Sequence, residues 1–216
     1  IFMKALVIGA TGATGQPLIQ HLLNDSSFME VVAFTRKPIG IHHPKLKNEI
    51  INFNEPQTWK HWVQGDVLFS CLGTTLKDAG SQKAQYKIDF EYQYQFAKAA
   101  KDNSVKSLVL VSSFQADPKA RFFYPRMKGE LEEAVTKLYF DQTIIFRPGM
   151  LKRLGTDRIG EKIGLKLISA FNSIGLFKNQ KPLDTSDLAQ AMINAIQLKP
   201  KGISIIELND DIKALT

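Results

Sequence analysis

Tyr124 and Lys128 are the two side chains whose types and spacing most directly suggest chemistry. Residues four apart on a helix share a face, so the ammonium of Lys128 can lie beside the phenol of Tyr124. The pKa of a free tyrosine is ~10, and a neighbouring cation lowers it by favouring the tyrosinate. Such a pair can exchange a proton with a substrate oxygen, and the hydroxyl groups of Ser112 and Ser113 could bond that oxygen.

Each of these features also has an ordinary structural explanation. Tyr and Lys four residues apart are common on helix surfaces, and Ser112-Ser113 can simply end a strand. Pro125 suits the first turn of a helix but disfavours helical backbone in the residue before it. We therefore expect Tyr124 to lie outside the helical region, which would weaken its alignment with Lys128.

A glycine-rich stretch near the start of the chain indicates a nucleotide site. Gly9, Gly12 and Gly15 are spaced three apart, after an apolar run typical of a buried strand and before a helical pattern. Glycines there allow a tight turn and close approach of a ligand, and the helix start favours a phosphate. The motif differs from the usual dinucleotide fingerprint, G-x-G-x-x-G, by reading G-x-x-G-x-x-G.

The residues after the second predicted strand bear on cofactor choice. An acidic residue there would bind a ribose 2′-hydroxyl, whereas this chain has Thr35, Arg36 and Lys37. A guanidinium can bond a phosphate with two parallel hydrogen bonds, so the sequence favours NADP(H) over NAD(H). The alternative is a surface turn that is basic by chance.

Strand and helix patterns alternate along the chain, which predicts an α/β fold. We expect a Rossmann-like, doubly wound, mainly parallel sheet with helices on both faces, in a single domain over residues 3–210. The predicted strands are residues 5–8, 30–35, 50–53, 67–72, 108–111, 143–146 and 203–208, and the predicted helices include residues 58–63, 82–101, 125–138 and 185–198. The last helix could be capped by Thr185 or Ser186. The irregular stretch 152–181 is expected to shape a substrate pocket.

Three stretches together resemble the short-chain dehydrogenase/reductase superfamily, in its atypical branch. They are Gly9-Ala-Thr-Gly-Ala-Thr-Gly15, Ser112-Ser113 followed by Tyr124-Pro-Arg-Met-Lys128, and Phe146-Arg-Pro-Gly149. Within that branch, Ser70-Cys-Leu-Gly-Thr-Thr75 and Lys128-Gly-Glu-Leu-Glu132 resemble the Tat-interactive-protein-like oxidoreductases. The similarity extends from Lys4 to about Leu208.

The resemblance implies roles for individual residues. Tyr124 would be the general acid/base, Lys128 would lower its pKa and hold the nicotinamide ribose, and Ser113, rather than Ser112, would bond the substrate carbonyl. Asp89 stands where relatives often carry an Asn that supports a proton relay, and Asn52 where they often have an Asp near the adenine. The implied cofactor contacts are Gly9, Thr11, Gly12, Ala13, Thr14, Gly15, Arg36, Lys37, Asn52, Phe53, Cys71, Leu72, Gly73, Thr74, Tyr124, Lys128, Pro148 and Gly149.

Composition limits the remaining function classes. The net charge of +7 is spread along 216 residues without a basic arm, which argues against nucleic acid. No apolar run is as long as a membrane span, no signal peptide is indicated, and the four histidines lack metal-ligand spacing. The single cysteine, Cys71, excludes an internal disulfide and fits a reducing compartment, so we expect a cytoplasmic protein.

These observations predict an NADP(H)-dependent oxidoreductase that reduces a small carbonyl compound. Two alternatives remain at this point. One is a regulatory protein that uses a bound dinucleotide as a redox sensor with little turnover, and the other is a flavin or quinone reductase. The sequence names neither the substrate nor the oligomeric state.

Overall fold

The computed structural model describes residues 2–152 and 182–216. Its strands are β1 (Met3–Ile8), β2 (Phe28–Thr35), β3 (Leu46–Ile50), β4 (Val67–Ser70), β5 (Ser107–Val111), β6 (Gln142–Phe146), β7 (Leu151–Lys152), β8 (Leu183–Asp184) and β9 (Gly202–Ile206). The α-helices are α1 (Gly15–Asn24), α2 (Pro56–Trp59), α3 (Leu76–Ala79), α4 (Gln82–Tyr86), α5 (Gln93–Asp102), α6 (Phe123–Thr136), α7 (Thr185–Leu198) and α8 (Asn209–Lys213).

Seven of these strands form one sheet in the order β3-β2-β1-β4-β5-β6-β9, and every neighbouring pair is parallel. The order reverses between β1 and β4, and ligands of open α/β sheets bind at the carboxyl ends of the strands beside such a reversal. The expected Rossmann-like architecture is confirmed. Strands β7 and β8 form a separate short pair.

The core consists of one apolar layer on each face of the sheet. Alternate residues of β1 pack into opposite layers: Ala5 and Val7 lie in one, and Leu6 and Ile8 lie in the other. All four residues have no exposed surface. Helices α1 and α7 cover the first layer, and α5 and α6 cover the second. The position of α6 therefore depends on its packing against the sheet.

Several predicted boundaries were wrong. The third strand was expected at residues 50–53 but is Leu46–Ile50, whose polar sequence suits a partly exposed edge strand. The predicted helix 82–101 is divided into α4, a π-helix over Lys87–Tyr92, and α5. Neither Thr185 nor Ser186 caps α7, because the cap position is Asp184 and the Ser186 hydroxyl lies 2.9 Å from Nε2 of His21.

Tyr124 lies inside the first turn of α6, contrary to the expectation drawn from Pro125. Proline is tolerated there because the first backbone N–H groups of a helix have no partner within it. The predicted substrate-pocket region 152–181 falls almost entirely outside the described residues. Within the described part of the chain, no helix combines the length and apolarity needed to cross a bilayer.

Candidate functional site

The glycine turn between β1 and α1 is closely packed. Gly9 has a φ of +80°, and a Cβ there would overlap the backbone of Cys71. A Cβ at Gly15 would overlap the carbonyl of Gly9, while the N–H of Gly12 donates to that carbonyl at 2.9 Å. Among the described residues, Thr14 at the N-cap position of α1 makes no side-chain capping hydrogen bond. A phosphate could approach this helix start closely, so the turn fits the diphosphate of a dinucleotide.

Arg36 and Lys37 follow β2 and are both exposed. The turn is fixed beneath them, since the Thr35 hydroxyl donates to the Lys37 carbonyl at 2.7 Å and accepts from the Asn48 amide at 2.7 Å. This arrangement leaves Arg36 exposed after β2, the strand that pairs with β1. A cavity of about 560 Å³ adjoins the glycine turn. Its lining includes Thr11, Ala13 and Gln16 on one side and Ile39 and Ile41, from the segment after β2, on the other.

Asn52 and Phe53 follow β3, but their side chains serve the local structure. The Asn52 side chain donates to Glu55 at 2.8 Å and accepts from the N–H of Asn54 at 3.1 Å. Phe53 is buried and stacks on Tyr92 with ring centres 5.3 Å apart. The structure therefore leaves mainly the backbone of this turn for contact with an adenine.

The loop after β4 carries Cys71, Leu72, Gly73 and Thr74. Its end is held by two side chains: the Thr74 N–H donates to Oδ1 of Asp89 at 2.8 Å, and the Gln85 amide donates to the Thr74 carbonyl at 3.0 Å. Burial raises the pKa of the Cys71 thiol to about 12 despite the attraction of Lys128 for a thiolate. Cys71 is thus a neutral thiol packed against the core rather than a nucleophile.

Asp89 is a fully buried carboxyl group that sequence reasoning had assigned only by resemblance. Its Oδ2 atom has no hydrogen-bond partner among the described residues. Burial raises its pKa to about 6, although Lys128 and the Thr74 N–H both favour the carboxylate. A carboxyl with this pKa changes its charge close to neutral pH.

Tyr124 and Lys128 come together on α6 as the four-residue spacing predicts. The Lys128 ammonium lies 5.9 Å from the centre of the Tyr124 ring, and Lys128 is 2 % exposed. Burial raises the pKa of Tyr124 above its ordinary value, Lys128 lowers it, and the charge of Asp89 raises it. Lys128 therefore acts in the expected direction, but burial outweighs it and the phenol is neutral at neutral pH.

Ser112 and Ser113 follow β5 on the same edge of the sheet. The Ser112 hydroxyl is buried and has no partner among the described residues, whereas the half-buried Ser113 hydroxyl is 3.4 Å from the Phe114 carbonyl. Pro148 and Gly149 follow the next strand, β6, and the Gly149 N–H donates to Oδ1 of Asn209 at 2.9 Å. All the predicted site residues thus lie on α6 or beyond the carboxyl ends of β1 to β6.

Sequence reasoning missed the residues that hold this edge together. Gln85 and Gln93 lie four residues either side of Asp89, and this spacing was a usable signal. Glu132 is an acidic residue one turn beyond Lys128 and could have been noticed for that reason, but no local sequence pattern connects it with Arg147. The same is true of Asn209 and Gly149, which lie 60 residues apart. In residues 2–152 and 182–216, no group of three His, Cys, Asp or Glu side chains could hold a metal ion.

Comparisons with known proteins agree with this geometry. A family described as NAD(P)H-binding matches residues 9–197. "Protein FMP52, mitochondrial" of Candida albicans is 32% identical over 209 residues, covering 94% of this chain and 90% of the relative. The Saccharomyces cerevisiae protein of the same name is 37% identical over 153 residues, covering 69% and 66%.

Solved structures are similar in fold. The protein MoeE5 in complex with UDP-glucuronic acid and NAD matches with a TM-score of 0.73 and 17% identity, over 95% of this chain and 76% of its own. The Bordetella bronchiseptica enzyme WbmH in complex with NAD+ matches with a TM-score of 0.72 and 17% identity, over 96% of this chain and 76% of its own.

The expectation of a cytoplasmic protein was wrong. The relatives at 32–38% identity from Candida albicans, Eremothecium gossypii and Saccharomyces cerevisiae are all named as mitochondrial proteins. A single cysteine was weak evidence, because the lack of disulfides does not distinguish between compartments that keep thiols reduced.

Proposed function

We propose that this chain, which belongs to the NAD(P)H-binding family and whose motifs resemble the atypical short-chain dehydrogenase/reductase branch, is an NADP(H)-dependent oxidoreductase reducing a small carbonyl compound. The observation that carries the proposal is the Tyr124–Lys128 pair on α6, at the edge of the sheet that also carries the glycine turn. A protein that only senses a dinucleotide does not need a proton donor beside a cation.

The state of Tyr124 suits reduction. Its raised pKa keeps the phenol protonated at neutral pH, and a neutral phenol can give its proton to a carbonyl oxygen that gains negative charge. Lys128 then stabilises the tyrosinate that remains, because its ammonium lies 5.9 Å from the centre of the ring and lowers the pKa of the phenol. Ser113 would donate a second hydrogen bond to the substrate oxygen and so fix its position.

The dinucleotide would supply the hydride that goes to the carbonyl carbon. Gly9, Gly12 and Gly15 would hold its diphosphate at the start of α1, and Lys128 would bond its nicotinamide ribose. Pro148 and Gly149 would lie near its nicotinamide. The close packing of Gly9 against the Cys71 backbone and of Gly15 against the Gly9 carbonyl supports this assignment, because it forms the tight turn that a dinucleotide site requires.

The proton donor is tested with Tyr124→Phe, which removes only the hydroxyl group. General acid catalysis contributes ~10²–10⁴-fold, so we expect turnover of the best carbonyl substrate to fall by about that factor while NADPH affinity stays within a fewfold. The measurement is NADPH oxidation against a panel of aldehydes, ketones, quinones and flavins, with affinity by calorimetry.

Two results would contradict this function. Unchanged turnover by Tyr124→Phe would make the tyrosine structural and favour direct hydride transfer to a flavin or quinone. Tight NADPH binding with no oxidation across the whole panel would favour a redox sensor.

We propose that Arg36 selects NADP(H) by bonding the 2′-phosphate, with help from Lys37. A hydrogen bond to a charged group contributes about 1.5–3 kcal/mol, so NADPH should bind roughly ten- to a hundredfold more tightly than NADH. Arg36→Ala should remove most of this preference in calorimetric titrations, whereas Lys98→Ala, an exposed lysine on α5, should not. Equal affinity of the unmodified protein for both cofactors would contradict the assignment.

A further inference from the structure

Arg147, a half-buried residue directly after β6, joins the end of this strand to α6, the helix that carries Tyr124 and Lys128. Arg147 donates from one guanidinium nitrogen to Oε2 of Glu132 at 2.7 Å, and its Nε atom lies 3.1 Å and 3.2 Å from the two carboxylate oxygens. Glu132 is only 5 % exposed, and Arg147 also contacts Glu207 at 3.4 Å. Hydrogen bonding to Glu132 is the main cause that raises the pKa of Arg147, so its guanidinium stays charged.

Glu132 is placed to control the residues that carry the proposed chemistry. It lies four residues beyond Lys128 and eight beyond Tyr124 on α6, so the three side chains share one side of the helix. A bidentate bond between a carboxylate and a guanidinium fixes direction as well as distance. The contact with Arg147 therefore restrains both the rotation of α6 and its distance from the sheet.

The segment Phe146–Gly149 also fixes the other half of the site. The Ser112 N–H donates to the Phe146 carbonyl at 2.7 Å, and the Phe114 N–H donates to the Pro148 carbonyl at 3.0 Å. The loop with Ser112 and Ser113 is thus held by the same segment that holds α6 through Arg147. The proton donor and the substrate-binding serine have one shared point of attachment.

We propose that Arg147 and Glu132 are positioning residues, whose ion pair sets the Tyr124 hydroxyl against Ser113 and the nicotinamide side of the site. The inference rests on the proposed reductase function. A buried ion pair is weak evidence for stability, because desolvation offsets much of its attraction. Its fork geometry, by contrast, provides the orientation that a proton transfer requires, and a small misplacement of reacting groups can cost about a hundredfold in rate.

The test uses Arg147→Lys and Glu132→Gln, with Glu133→Gln as the matched control. Glu133 is the next residue on α6 and forms an exposed pair with Lys137 at 2.6 Å. In both pair variants we expect kcat for the best carbonyl to fall roughly ten- to a hundredfold, with KM and NADPH affinity within about twofold. Glu133→Gln should behave as the unmodified protein.

A second readout does not depend on turnover. Arg147→Lys keeps the charge but loses the fork, so α6 can move outward and Tyr124 becomes less buried. Because burial is the main cause of the raised pKa of Tyr124, this pKa should fall toward its ordinary value in a titration of ¹³C-labelled tyrosine by NMR. A fall in a protein that reduces no carbonyl would support positioning while contradicting the reductase function.

The proposal is overturned if kcat and the Tyr124 titration are both unchanged in Arg147→Lys. It is also overturned if both pair variants lose their fold by circular dichroism while Glu133→Gln stays folded, because the pair would then support the fold as a whole.

Discussion

Asp89 shows how one buried residue can work against stability inside the candidate site. Its carboxyl group has no exposed surface, and one of its two oxygens lacks a partner among the described residues. Ionising such a group costs free energy in the folded state, which is why burial raises its pKa from 3.8 to about 6. The other oxygen accepts a hydrogen bond from the Thr74 N–H, so the same buried carboxyl group also holds the loop after β4 in place.

The stability of Asp89→Asn should depend on pH in a defined direction. In the unmodified protein, the folded state binds the Asp89 proton more tightly than the unfolded chain does. The stability that this proton contributes is therefore complete below pH 3.8 and is lost as the pH rises through about 6. At pH 8 the variant should therefore be more stable, by up to about 3 kcal/mol, and at pH 3.5 it should match the unmodified protein. Urea unfolding at several pH values measures this.

Asp102→Asn is the control for that experiment, because Asp102 is exposed and forms a surface pair with Lys98. Its stability should change by no more than about 1 kcal/mol at any pH. A loss of stability in Asp89→Asn at pH 8 would show that the carboxylate is better paired than its surroundings indicate.

The candidate site residues were chosen from type and spacing, but their electrostatic state could not be predicted from the sequence. The Tyr124–Lys128 spacing correctly placed a cation beside the phenol. The net pKa of Tyr124 could not be read from the sequence, because it depends on burial and on Asp89, which is distant along the chain. The Phe53 side chain packs in the core, so the cofactor contact predicted at this residue would fall to its backbone.

At the scale of elements, the π-helix over Lys87–Tyr92 explains why one predicted helix is divided. Gln85, Asp89 and Gln93 are spaced four apart and all are buried. In a regular α-helix, residues four apart drift steadily around the axis, because each turn has 3.6 residues. The wider turn of a π-helix counteracts this drift, and such turns are frequent at functional sites. Periodicity alone could not reveal it, because the apolar pattern on either side is helical.

Gly129→Ala tests how closely α6 packs against the loop before it. In a helix interior this change normally stabilises by about 1 kcal/mol through propensity alone. Here the new Cβ would overlap the backbone of Asp117 and Pro118, which cannot rotate away as a side chain could. We expect a net loss of about 1–3 kcal/mol in urea unfolding.

Gly73→Ala provides the comparison, because a Cβ at Gly73 would meet no atom of the described residues within 4 Å and its backbone needs no positive φ. Its stability should change by less than about 0.5 kcal/mol. If Gly129→Ala were instead more stable than the unmodified protein, the loop at Asp117 would have to yield easily, and α6 would be less firmly placed than the geometry indicates.

At the scale of the whole molecule, strand and helix patterns alternate along the sequence, and this alternation was enough to predict the parallel sheet. Strands that are buried between helices on both faces of a sheet produce the two core layers seen in the structure. The pairing of β6 with β9 was not predictable in the same way, because residues far apart in the chain form it. The candidate dinucleotide site is assembled from the ends of several strands. Only the complete sheet brings these ends together, so the unfolded chain has no such site.

Dinucleotide binding should therefore stabilise the whole fold. A ligand that binds only the folded state at a hundred times its Kd adds about 2.7 kcal/mol, which for a chain of this size corresponds to a rise in Tm of roughly 5–10 °C. Differential scanning calorimetry with NADPH should show this rise, and NADH at the same concentration should give a smaller one. Adenosine 2′,5′-bisphosphate and 5′-AMP separate the contribution of the 2′-phosphate, because both lack the nicotinamide. If neither dinucleotide raised Tm, the glycine turn would serve packing alone; if 5′-AMP matched the bisphosphate, Arg36 would have no part in cofactor choice.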